Sequence, residues 1–89
     1  MARVNLKDWS WIVRGKQRRA VIKHMNKTKI PTEIGKESGL SLNHASRVLR
    51  EFEKKGLAKC LTPKERVGRL YKLTERGKAV MEKILEVQD

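Results

Sequence analysis

Residues 31–56 read PTEIGKESGLSLNHASRVLREFEKKG, and the fold is decided by this stretch. Pro31 suits the first turn of a helix, where a missing N–H leaves no bond unmade. Gly39 ends that helix after Ser38, because glycine readily takes the positive φ that closes a helix. Ser41 then offers its hydroxyl to the free N–H groups of a second helix. Leu42, Ala45, Val48, Leu49 and Phe52 follow at spacings of three and four. That period predicts an apolar face on a helix over about 42–55. Lys54 and Lys55 suit its C-terminal dipole, and Gly56 stops it. Two helices joined by Gly39-Leu40-Ser41 match a helix-turn-helix. Ile34 and Leu40 fill the angle between them, facing Ala45 and Val48, and Gly35 leaves room for close approach.

Downstream the period changes from helical to alternating. Leu57 to Thr62 reads as a strand and Arg69 to Leu73 as a second, joined by the charged, turn-rich residues 63–68 (PKERVG). This predicts a hairpin over 57–73 with a basic tip. Thr74 caps a last helix over 74–87, with Val80, Met81, Ile84 and Leu85 on one stripe. Gly77 in its first turn either weakens the helix or admits another backbone. Upstream, Arg18, Val21, Ile22 and Met25 give a helix over about Lys16 to Asn26, and Thr28 to Ile30 suffices for one ladder position. Residues 1–14, with Trp9, Trp11, Ile12 and Val13, read as a short helix or an extended arm. The whole, 1–89, is expected to be one mostly helical domain with a small hairpin (α+β).

Composition narrows the function. The 89 residues carry 22 Lys and Arg against 10 Asp and Glu, a formal +12. Such an excess favours a polyanionic partner: nucleic acid first, an anionic membrane surface second. The charge is concentrated upstream, with 14 basic and 5 acidic residues through Gly56. Arg14, Lys16, Arg18, Arg19 and Lys23 form a block without an acid, read as a general positive field rather than a list of contacts, with a solvated helix face and direct phosphate contact weighing equally. No apolar run approaches a membrane span, and no secretory signal is visible in residues 1–8. A membrane-surface role is disfavoured because the apolar helix faces are needed for the core.

Catalysis and metal binding have little support. There is no glycine-rich phosphate loop and no nucleophile with an oriented base. Glu51 and Glu53, two apart on a helix, point in different directions. Cys60 stands alone, with neither His24 nor His44 at metal-ligand spacing, and its strand position suits a small core residue better than a redox sensor. No cofactor is expected.

The chain resembles the winged helix-turn-helix transcriptional regulators, in particular a small archaeal-type group akin to the ArsR and MarR families. The resemblance runs from about Trp9 to Leu85. It is carried by 29–36 (KIPTEIGK), 38–49 (SGLSLNHASRVL), Phe52, 53–57 (EKKGL) and, most specifically, 60–77 (CLTPKERVGRLYKLTERG). Two departures are Ile30, where such regulators often place a Ser or Thr cap, and Gly35, where Ala is usual. The resemblance implies duplex-DNA binding, transcription regulation, a homodimer, and a cytoplasmic, nucleoid-associated location.

In that arrangement the helix over 42–55 enters the major groove, where every base pair shows a distinct donor and acceptor pattern. Asn43, His44 and Arg47 become the base readers, with Asn43 suited to adenine and Arg47 to guanine. Thr32, Ser41, Ser46 and Arg50 are candidates for the phosphates. Lys64, Arg66 and Arg69 belong to the wing, with Arg66 at its tip and Arg69 ordering the hairpin, against Glu65 if it pairs there. Val80, Met81, Ile84, Leu85 and Val87, with Trp9 and Trp11, are the candidate dimer contact. The tryptophans read more readily as core or dimer residues than as base-stacking platforms. Two rival readings remain: a protein-interaction module, and a non-specific architectural protein binding DNA or RNA.

Overall fold

The structure, a computed structural model, describes residues 3–87; positions 1–2 and 88–89 of the expected domain lie outside the described residues. Five helices and one hairpin follow in order: α1 Leu6–Val13, α2 Lys16–Lys23, α3 Pro31–Ser38, α4 Leu42–Lys55, β1 Ala58–Cys60, β2 Tyr71–Leu73 and α5 Glu75–Val87.

The ambiguous N-terminal segment is helical. Asn5 caps α1, its Oδ1 accepting from the Lys7 and Asp8 amides at 2.8 and 3.3 Å. The other end of α1 is answered by arginines from the basic block. Arg14 Nε donates to the Ser10 carbonyl at 3.3 Å, Arg18 Nη1 to that of Trp11 at 2.8 Å, and Arg19 Nη1 to that of Val13. Cations over the last carbonyls complement the helix dipole. Three of the five basic residues in that block therefore brace α1. Arg18 also lies 4.1 Å from the Trp11 ring centre, a cation–π contact. Helix α2 is shorter than its sequence period suggested. It stops at Lys23 because the His24 and Met25 amides bond back only three residues, to Val21 and Ile22. Met25 still reaches the core.

The helix-turn-helix follows the sequence closely. Ile30 provides no side-chain cap, but the Glu33 carboxylate accepts from the Ile30 amide at 3.1 Å. Gly39 takes φ 73° and Gly56 φ 79°, ending α3 and α4. Ser41 Oγ accepts from the His44 amide at 3.2 Å. Gly35 is a contact point: a Cβ there would stand 2.9 Å from the Leu40 carbonyl oxygen and 3.6 Å from Ala45 Cβ. Ala45, Val48, Leu49 and Phe52 fill the core, but Leu42 does not; it is 53% exposed. Leu42 shares the azimuth of Leu49 two turns on, yet it stands on the first turn, beyond the reach of the core.

The hairpin ladder pairs Ala58 with Leu73, Lys59 with Lys72 and Cys60 with Tyr71. It is shorter than the expected strands. One further bond, Leu61 N–H to the Leu70 carbonyl at 2.7 Å, leads into a loop held by Thr62, whose Oγ1 accepts from the Leu70 amide at 3.0 Å. Ala58, Cys60, Tyr71 and Leu73 point into the core, and Lys59 and Lys72 outward. Lys29 bridges to Tyr71 as the single ladder position foreseen at 28–30. Cys60 is free and buried, in keeping with the core reading.

The root of the hairpin is fixed on α5. Thr74 donates its amide to the Leu57 carbonyl at 3.0 Å and its hydroxyl to that of Gly56 at 2.7 Å, while Oγ1 accepts from the Gly77 amide at 3.3 Å. Gly77 admits the other backbone, the second of its two sequence readings. Asp8, buried to 6% exposure, accepts two bonds from Arg76, at 3.0 and 2.7 Å, tying α1 to α5. The apolar stripe of α5 corrects one expectation. Val80 and Ile84 are wholly in this chain's core and Met81 packs partly against it, so they are not a free surface; only Leu85 and Val87 stand exposed. Trp9 and Trp11 also pack on the core, Trp11 edge-on to Phe52 at 5.7 Å between ring centres.

Candidate nucleic-acid interface

With Ala45, Val48, Leu49 and Phe52 turned inward, the opposite side of α4 is set by geometry. At 100° per residue it carries Asn43, Arg47, Arg50 and Lys54, all exposed. Beside it lies the hairpin loop. Helix α4, the start of α3 and the loop enclose an open groove of about 420 Å³.

Thr32, Asn43, Ser46, Arg50, Arg66 and Arg69 line this groove, so one concavity gathers residues from three elements that sequence reasoning had nominated separately. Arg47 faces a neighbouring depression of about 280 Å³ with Arg50, Glu51 and Lys54. Ser41, His44 and Lys64 are exposed but line neither. His44 lies furthest round α4, towards the buried Val48. Sequence reasoning missed Pro31, Leu42, Val67, Gly68 and Tyr71, which complete the groove. Leu42 follows the period of the core residues but stands outside the core. Val67, 87% exposed at the loop tip, was legible only as an apolar residue in a charged turn.

Local bonds prepare several of these groups. Arg50 Nε donates to the Ser46 carbonyl at 3.4 Å. Arg69 does order the hairpin, and its partner is the Glu65 backbone: Nε donates to that carbonyl at 2.6 Å. Burial pushes the Tyr71 phenol above its ordinary value of 10.0, against the opposing effect of hydrogen bonding by Arg69, so the groove floor is uncharged near neutrality. The ion pairs among the described residues are Lys29–Glu37, Asp8–Arg76 and Lys78–Glu75, all outside the groove. Arg47, Arg50, Arg66 and Arg69 thus have no carboxylate partner among the described residues, and guanidinium groups suit phosphate geometry. No cluster of potential metal ligands occurs among the described residues.

No family model and no curated protein matches the sequence. Solved structures do match. The chain is similar to a MarR family transcriptional regulator from Silicibacter pomeroyi DSS-3, at 16% identity and a TM-score of 0.72 over 91% of this chain and 61% of that one. It is similar to the reduced form of MarR from E. coli, at 20% identity and a TM-score of 0.64 over 99% and 81%. A Cys-to-Ser mutant of MarR from E. coli, complexed with operator DNA, matches at 25% identity and a TM-score of 0.61 over 81% and 52%. The chain therefore spans about three fifths of the length of the Silicibacter regulator. The archaeal-type grouping gains no support from these neighbours. Helix order, basic hairpin and neighbours agree: the chain has the winged-helix fold of MarR-family transcription regulators.

Proposed function

We propose that this chain binds duplex DNA sequence-specifically and regulates transcription, with α4 in the major groove and the hairpin as a wing. The observation that carries this reading is the groove in which Arg50, Arg66 and Arg69 converge without a carboxylate partner among the described residues. The similarity to a regulator complexed with operator DNA supports it.

Asn43, His44 and Arg47 contact base edges near the start of α4, each well-formed bidentate contact contributing about 1–3 kcal/mol of discrimination. Thr32, Ser41, Ser46 and Arg50 hold phosphates. Ser41 does so with its hydroxyl hydrogen, since its oxygen already caps α4. Lys64 and Arg66 follow the backbone or the minor groove, and Arg69 braces the loop that carries them. A homodimer forms through the surface that remains exposed on α5, Leu85 and Val87, together with Met81 at its edge. Two α4 helices then meet half-sites roughly 34 Å apart, or a multiple of that spacing. Such a regulator works in the cytoplasm, at the nucleoid.

Selection of fragmented genomic DNA on the purified protein, near physiological salt and with unrelated competitor, tests the reading. A shared motif is expected, with inverted symmetry if the dimer is right. Retention without a motif points to architectural binding. No retention overturns the proposal in favour of a protein-interaction module.

A further inference from the structure

Leu42 poses a question that the fold leaves unanswered. It opens α4, stands 53% exposed, and contributes nothing to the core that Ala45, Val48, Leu49 and Phe52 complete. A first-turn position favours acidic residues, which complement the free N–H groups and the dipole. Instead a large aliphatic side chain lies in the same groove as Asn43, Ser46 and three arginines.

The groove's charge indicates what can occupy it. Arg50, Arg66 and Arg69 call for an anionic partner, and Leu42 calls for an apolar feature on that partner. Duplex DNA supplies both. Among the base-edge groups that the major groove presents, the 5-methyl of thymine is the apolar one. Residues on the first turns of a recognition helix are those that reach base edges. We infer that Leu42 is a specificity-determining residue that reads a thymine 5-methyl group, next to the base contacted by Asn43. This rests on the DNA-binding reading above and adds to it an apolar contact that hydrogen-bonding residues cannot make. It also explains why Leu42 is aliphatic where the core does not require it.

The test replaces thymine by uracil, one position at a time, in a duplex recovered by the genomic selection. Uracil keeps every hydrogen-bonding group and loses only the methyl, which projects into the major groove, so minor-groove contacts of the wing are left alone. Affinities are read by fluorescence anisotropy for the wild type, Leu42→Ala and Val67→Ala, with circular dichroism to confirm that each variant is folded. At one position per half-site the wild type is expected to bind the uracil duplex about fourfold more weakly, the effect of burying one methyl-sized group. Leu42→Ala should bind thymine and uracil duplexes equally there, while Val67→Ala keeps the wild-type ratio.

The inference is overturned if no position distinguishes thymine from uracil, or if the distinction survives in Leu42→Ala. Loss of the distinction in Val67→Ala instead would assign it to the wing and overturn the role of Leu42. A wild type that binds no duplex at low salt would fail at the earlier step and refute the DNA-binding reading itself.

Discussion

Gly77→Ala is a substitution for which helix propensity and tertiary structure predict opposite signs. In an isolated helix, alanine is better than glycine by about 1 kcal/mol. In this protein a Cβ at position 77 would stand 2.0 Å from the Leu57 carbonyl oxygen and 2.9 Å from Leu73 Cδ2. The first contact is with backbone, which cannot rotate away. Relief requires α5 and the hairpin root to separate by about an ångström, which strains the Thr74 amide bond to that same oxygen. Overpacking of a tight core costs about 1–3 kcal/mol. A lost hydrogen bond adds about 0.5–1.5 kcal/mol. After the propensity gain, the net expectation is destabilisation by about 1–3 kcal/mol. For a domain this small, each kcal/mol moves the midpoint by about 4–8 °C. Thermal unfolding followed by circular dichroism, with urea midpoints in parallel, should show a clear fall in Tm. An unchanged or raised Tm would refute the close approach, and with it the account of how the wing is anchored.

Arg69→Lys removes the guanidinium Nε–H that holds the Glu65 carbonyl; it should weaken duplex binding severalfold in anisotropy titrations while leaving Tm nearly unchanged. Leu85→Lys with Val87→Lys should abolish the dimer in sedimentation velocity, yet shift folding stability by no more than about 0.5 kcal/mol, as expected for exposed positions. The Lys29 ammonium holds the Glu37 carboxyl below its ordinary value of 4.5, chiefly through their hydrogen bond. Since the folded value is depressed, this contribution is full above pH 4.5 and is lost as pH falls through the folded value. Glu37→Gln should therefore lower Tm at neutral pH, and its gap to the wild type should narrow in acid.

Helix boundaries were legible where they depend on local backbone chemistry. Pro31, Gly39, Ser41 and Gly56 each act within a few residues of themselves, and α3 and α4 begin and end where those residues put them. Alternation likewise revealed the hairpin, although Thr62 opens it earlier than the pattern indicated. Features that depend on distant partners were hidden. Asp8 and Arg76 are 68 positions apart, and neither shows in sequence that the other exists. The basic block looked like a field, because only the fold shows α1 ending beneath its arginines. Periodicity gave Leu42 the correct azimuth but not its depth, since it does not show where the core ends along the helix. The same limit misassigned Val80 and Ile84, whose stripe looks alike whether a neighbouring helix or a second molecule covers it. For the site, spacing put Asn43, His44 and Arg47 on one outward side of α4; Asn43 and Arg47 share it, while His44 lies further round, towards Val48. The resemblance assigned Arg66 and Arg69 to a wing; that they line one groove with α4 emerged only from the structure.

The central claim is that duplex DNA meets α4 and the wing. Amide chemical-shift mapping of the labelled protein, titrated with a selected duplex, tests it most directly. The account predicts that perturbations concentrate on Thr32, residues 41–50 and residues 64–69, that they weaken as salt is raised, and that the amides of α1 and the outer side of α5 stay in place. Perturbations centred on Leu6, Leu85 and Val87, with α4 and the wing silent, would contradict it.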